Sequence, residues 1–186
     1  MFEELLSRLG RSLEDKEIPY MIIGGQAVLL YGEPRLTRDI DITLGISTDR
    51  LKDIIQIIED IPLKILPEDV YEFVGKTMVL PAFHEDTGIR VDFIFSFTPY
   101  EQEAIQRARV VLIKGTDVKF ASPEDVIIHK IFAGRPRDIE DVRGIILKNP
   151  KLDLRYIEGW LKEFENSVEG GDFLQVFKEI LKNVKG

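Results

Sequence analysis

Hydrophobic residues change their spacing several times along this chain, and each change predicts an element. Phe2, Leu5, Leu6, Leu9 and Leu13 recur at three- and four-residue intervals, which predicts an amphipathic helix ending before Pro19. Tyr20-Met21-Ile22-Ile23 predicts a short strand that runs into Gly24-Gly25, and residues 26–31 suit a helix stopped near Gly32 and Pro34. Alternation then takes over at 38–46, a strand. Leu51, Ile54, Ile55 and Ile58 return to helical spacing, with Ser47 or Thr48 as the cap and Pro62 as the stop. Residues 77–83 and 88–96 are β-rich and flank His84-Glu85-Asp86-Thr87, a hairpin turn. A helix from Pro99 to about Ala108 precedes a second hairpin, 109–114 and 118–121, turning at Gly115-Thr116-Asp117. Ser122-Pro123-Glu124-Asp125 combines a cap, a proline at the first helical position and acids in the first turn, so a helix starts there. Three more helices are predicted near 136–148, 153–166 and 172–184, punctuated by Pro150 and Gly170-Gly171.

Strands and helices that alternate in this way predict an α/β (α+β) fold, a mixed β-sheet flanked by helices. The division expected is a core over 1–121 and a helical C-terminal extension over 122–186 packed on it. A chain of 186 residues, 44% of them hydrophobic, is long enough for one well-buried unit of this kind.

Charge and composition narrow the chemistry. The chain has no cysteine, which removes disulfides, thiolate metal sites and cysteine nucleophiles together. A net charge of -8 opposes broad attraction to nucleic acid or anionic membrane. Residues 104–151 nevertheless hold ten Lys or Arg against six Asp or Glu, a basic stretch that a polyanion or simple surface solvation explains equally. The acidic, helically spaced opening is unlike a secretion signal, and no apolar run reaches membrane-spanning length, so a cytoplasmic protein is expected.

The chemistry centres on Thr37-Arg38-Asp39-Ile40-Asp41-Ile42-Thr43-Leu44. In a strand, Thr37, Asp39, Asp41 and Thr43 share one face and Ile40, Ile42 and Leu44 the other. The two carboxylates then originate roughly 6 to 7 Å apart, a spacing that suits a pair of divalent cations about 4 Å apart. Aspartate is depleted in strands and two on one face repel, so a compensating charge is expected, either Arg35 and Arg38 or a metal. Asp92 interrupts the apolar run Ile89-Arg90-Val91-Asp92-Phe93-Ile94-Phe95 and needs a partner, either Arg90 on its own face or a metal. Ahead of these acids, Gly24-Gly25 opens a helix whose first amides lack partners and whose dipole favours an anion, or is simply a turn. Further on, Lys130, Arg135, Arg137, Asp138 and Asp141 form a charged cluster. It can neutralise a leaving pyrophosphate, or Arg137 and Asp141 can be a surface pair of little weight.

Other motifs carry nothing. Gly75-Lys76-Thr77 ends like a phosphate-binding loop, but position 70 is Val rather than Gly. His84 and His129 are the only histidines, and neither zinc-type spacing nor a nucleophile elbow is present.

Taken together, Ile23-Gly24-Gly25-Gln26-Ala27, Tyr31-Gly32, Arg35-x-Thr37-x-Asp39-Ile40-Asp41 and the later strand residue Asp92 resemble the DNA polymerase β nucleotidyltransferase superfamily. Within it, the first block and Lys130-x-x-Ala133-x-Arg135-x-Arg137-Asp138-x-x-Asp141 are similar to the AbiEii-like nucleotidyltransferases, some of which are toxins of toxin-antitoxin pairs. The resemblance covers roughly residues 20–142. It implies two Mg²⁺ ions and transfer of a nucleoside monophosphate from an NTP such as ATP to an acceptor hydroxyl on RNA (a tRNA end), protein or a small molecule, with release of pyrophosphate. By the same resemblance Asp39, Asp41 and Asp92 bind the metals, and Asp92 helps deprotonate the acceptor. Gly24 and Gly25 hold the terminal phosphates and Lys130 contacts the triphosphate, with Arg35, Thr37, Arg137 and Asp138 as further nucleotide contacts. The chain departs from many superfamily members in having Gly25 where they carry serine. The alternative is a catalytically inactive nucleotide-binding protein, or an antitoxin-like partner that retains only the fold.

Overall fold

A computed structural model describes residues 2–185, and the chain falls into two compact units. The first comprises residues 1–26 and 37–121, the second residues 27–36 and 122–186.

Among the described residues of the first unit, seven strands form one mixed sheet in the order β3-β4-β5-β2-β1-β7-β6. These are β1 (Tyr20–Ile23), β2 (Asp39–Leu44), β3 (Lys64–Ile65), β4 (Val79–His84), β5 (Ile89–Phe95), β6 (Arg109–Ile113) and β7 (Thr116–Phe120). β2 lies between antiparallel β1 and parallel β5. Its register sets Ile40 beside Val91, Ile42 beside Phe93 and Leu44 beside Phe95. Those apolar residues are almost completely buried, each contributing roughly 1.5–3 kcal/mol of transfer free energy. A one-residue slip would drive Asp39, Asp41 and Asp92 into that core, so the same burial fixes where the acids stand. α1 (Phe2–Asp15) packs against β6 and β7, with Leu9 and Leu13 fully buried and the Ser7 hydroxyl 2.8 Å from that of Thr116.

Three local features differ from the sequence-based expectation. Residues 70–77 form a helix, α4 (Val70–Thr77), and the next strand begins at Val79 rather than at 77. Asp69 caps α4 by accepting the Glu72 N–H at 2.9 Å, and Met78, in the left-handed region at φ 59°, ends it. Val70, Phe73 and Val74 stand at helical spacing in α4, but the run is only eight residues long and buries Val74 alone. Ser47 does not cap α3 (Leu51–Asp60): its hydroxyl donates to Asp49, and a 3₁₀ turn, Thr48–Arg50, intervenes. The second hairpin turns at Lys114-Gly115, both at positive φ, because a two-residue turn of that kind matches the twist of the flanking strands. Gly75, Lys76 and Thr77 close the C-terminal part of α4, where carbonyls rather than free amides are exposed, so they form no phosphate loop.

The second unit is helical. It contains α6 (Pro123–Ala133), α7 (Pro136–Lys148), α8 (Leu154–Ser167) and α9 (Phe173–Lys185), with the segment 27–36. Ser122 caps α6 by accepting the Asp125 N–H at 3.1 Å, and Gly134, at φ 65°, ends it. The Asn149 side-chain amide, donating 2.8 Å to the Tyr31 carbonyl and 2.7 Å to that of Ile145, ties the segment 27–36 to the end of α7.

Candidate active site

β2 and β5 run parallel with Asp41 directly beside Asp92 and Asp39 beside Arg90. Neighbours in register share a face, so the three acids and Arg90 stand together on the side of the sheet away from Ile40, Ile42 and Phe93. Asp39 is exposed, and Asp41 and Asp92 are half-buried. Arg90 resolves the charge: its Nε lies 2.8 and 3.0 Å from the two oxygens of Asp92. The hydrogen bond to Asp92, with the nearby negative charges of Asp92, Asp39 and Asp41, raises the guanidinium pKa above its ordinary value despite partial desolvation.

Of the partners weighed for Asp92, Arg90 is therefore the one seen, and among the described residues no three His, Cys, Asp or Glu side chains converge as a ready metal-binding group. The donor set still fits a hard divalent cation. Carboxylate oxygens are the ligands Mg²⁺ prefers, they come from adjacent strands on one face, and a positively charged side chain stands in among them.

The glycine turn meets these acids through missing side chains. Gly24 opens α2 (Gly24–Tyr31) at φ 65°, and the space a Cβ would need is filled by the Asp41 carboxylate. The Cβ position of Gly25 is likewise filled by the Thr37 hydroxyl. Both glycines are thus required by close approach, and the backbone at the start of α2 lies against Asp41 and Thr37 with first-turn amides that have no helical acceptor. The Gln26 side-chain amide donates to the Asp39 carbonyl at 3.4 Å, a long bond that joins the same turn to β2. The Thr37 fit was not legible from spacing, because it depends on where the chain from 27 to 36 returns.

In the second unit, Lys130 is almost fully buried and its ammonium lies 2.7 Å from Asp138 and 3.0 Å from Asp141. Arg35 grips Asp141 with two bonds, 3.1 and 3.2 Å. Arg135 holds Asp138 at 2.6 Å through Nε and donates its backbone N–H to the same carboxylate at 3.3 Å. Burial works to raise the pKa of Asp138, but the hydrogen bonds from Arg135 and Lys130 and their charges outweigh it, holding it below the usual carboxylate range. Asp141 is thus paired with Arg35 and Lys130, and the surface pair weighed for Arg137 is replaced by this network; Arg137 is exposed. Of the expected site residues, Gly24, Gly25, Thr37, Asp39, Asp41 and Asp92 come together in the first unit, and Arg35, Lys130 and Asp138 in the second.

Comparison with solved structures gives the same architecture. The antibiotic-resistance factor ANT(2'')-Ia in complex with adenylyl-2''-tobramycin matches with TM-score 0.59 and 20% identity, over 89% of this chain and 97% of that one. A nucleotidyltransferase-like antigenic protein from Paracoccidioides brasiliensis matches with TM-score 0.55 and 20% identity, over 98% and 86%. JHP933 from Helicobacter pylori matches with TM-score 0.51 and 17% identity, over 98% and 88%. At these identities the likeness is one of fold. No curated protein matches the chain. The family model described as a nucleotidyltransferase of unknown function (DUF6036) matches residues 1–183, and the chain belongs to that family.

Proposed function

We propose that the protein transfers a nucleoside monophosphate from a nucleoside triphosphate to an acceptor hydroxyl, with ATP as the first donor to test. The observation that carries this reading is the β2–β5 register, which sets Asp41 beside Asp92 on the face that also bears Asp39, with the glycine turn that opens α2 packed against Asp41. In the reaction the acceptor oxygen forms a bond to the α-phosphorus, the bond from that phosphorus to the bridging oxygen breaks, and pyrophosphate leaves. Asp92 takes the acceptor's proton. The first-turn amides after Gly24 and Gly25 hold the terminal phosphates, and the Thr37 hydroxyl supplies a donor at the place where a serine at 25 would carry one. Two Mg²⁺ ions held by Asp39, Asp41 and Asp92 would neutralise the triphosphate and favour ionisation of the acceptor hydroxyl.

Roles for Arg35, Lys130, Arg137 and Asp138 in nucleotide binding, and the AbiEii-like placement, are carried over from motif resemblance. Incubating the protein with labelled triphosphates, Mg²⁺ and RNA, protein and small-molecule acceptors is expected to give label transfer that is lost in Asp41→Asn. Transfer persisting unchanged in that variant overturns the assignment.

A further inference from the structure

The catalytic face does not stop at Asp92. Pro81 of β4 lies directly opposite Asp92 in the antiparallel β4–β5 pair and so shares its face. Beyond Pro81 opens a groove of about 550 Å³, within the usual range for small-molecule sites, whose far wall is α4 and the segment leading into it. Arg90 lines this groove while holding Asp92, so the groove and the acids share a residue.

The lining has a definite chemistry. Leu66 and Phe73 are partly exposed apolar side chains, 47% and 38% accessible. Glu68, Asp69 and Glu72 bring three carboxylates against Lys76 and Arg90, and both cations are already engaged: Lys76 with Glu72 at 2.5 Å and Arg90 with Asp92. Asp69 accepts the Glu72 N–H, and Glu68 has no ion pair among the described residues. An aromatic ring beside uncompensated carboxylates attracts an ammonium group through both its quadrupole and their charge. Phosphates of a nucleic acid would meet repulsion at the same wall.

We infer that this groove is the acceptor subsite and that it takes a small organic cation bearing hydroxyl groups. The inference rests on the nucleotidyl-transfer reading. An acceptor seated between Phe73 and Pro81 places its amines against Glu68 and Asp69 and directs a hydroxyl towards Asp92, where the proton released on forming the new O–P bond is taken up. Arg90 guards the passage between groove and acids.

The test separates charge from shape. A glucosamine trisaccharide, its N-acetylated neutral counterpart and bulk tRNA are titrated into the protein with Mg²⁺ and a non-hydrolysable ATP analogue. The same titrations use Glu68→Lys and, as an equal change in net charge far along the chain, Glu169→Lys. The cationic sugar is expected to bind most tightly, to weaken at least about fivefold in Glu68→Lys, and to be unaffected by Glu169→Lys beyond a general charge effect. Equal or tighter binding of the neutral sugar or tRNA, absence of binding by the cationic sugar, or equal weakening in both variants overturns the inference. Binding of the ATP analogue, lost in Asp41→Asn and retained in Glu68→Lys, reports on the parent reading separately.

Discussion

The Thr37 hydroxyl occupies the volume that a side chain at Gly25 would fill. The two positions are twelve residues apart along the chain and share one space, filled by a hydroxyl from the segment leading into β2 instead of from the turn.

Their coupling is measurable. Gly25→Ser alone is expected to overpack the turn and to destabilise the protein by about 1–3 kcal/mol in urea unfolding. Adding Thr37→Gly should recover part of that loss, because it removes both the hydroxyl and the Cβ that a side chain at 25 would meet. Additive penalties in the double variant would contradict the close approach.

Arg90 is the cation that balances three acids. Arg90→Gln leaves them facing one another, so its melting temperature in EDTA should fall, by a free-energy cost of about 1 kcal/mol for so exposed a pair. Addition of Mg²⁺ should restore it and should raise the melting temperature more than in the parent protein. Equal Mg²⁺ responses in the two proteins would show that Arg90 does not compete for the acids.

Lys130 is the shared partner of Asp138 and Asp141. Lys130→Met removes its charge and leaves two buried carboxylates with one cation each, Arg135 and Arg35. A cost near 3 kcal/mol is expected, the lower end for breaking a buried ion pair. Denaturant unfolding checks it, and a loss below about 1 kcal/mol would assign the stabilisation to the arginines.

Stability should also depend on pH through His129, whose pKa burial lowers to about 4, with Lys130 adding repulsion in the same direction. A group depressed in the folded state binds its proton more readily when unfolded. Its contribution is therefore complete above about 6.5 and is lost as pH falls from there towards 4. The shift from 6.5 to about 4 sets about 3 kcal/mol as the scale of the loss. His129→Gln should flatten the pH profile of thermal stability over that window, and an unchanged slope would place the titration elsewhere.

Much of this arrangement was legible because alternation in 38–46 and 88–96 forces acids and aliphatic residues onto opposite faces. A one-residue slip of either strand would take its share of Ile40, Ile42, Val91 and Phe93 out of the core. The Ser122-Pro123 helix start was equally plain, since a cap, a first-position proline and first-turn acids all act locally. What escaped was decided by tertiary packing. α4 is eight residues long, and its signals, the Asp69-x-x-Glu72 helix start and Val70, Phe73 and Val74 at helical spacing, are short enough to be outweighed by the β-rich run that follows. With α4 went the groove it walls. Helical spacing offers Arg137 as one partner for Asp141, but Arg35, brought in from more than a hundred residues away, takes that carboxylate in a two-bond grip that no local spacing reveals.

The parallel pairing of β2 with β5 also bears on how the chain matures. Parallel neighbours cannot be joined by a tight turn, and here roughly fifty residues, including β3, β4 and α4, separate Asp41 from Asp92. Closing a loop of that length is an entropic debt settled only once the central strands dock. A chain emerging from the ribosome therefore holds its first two carboxylates long before the third, and the three can share a face only after translation has passed β5.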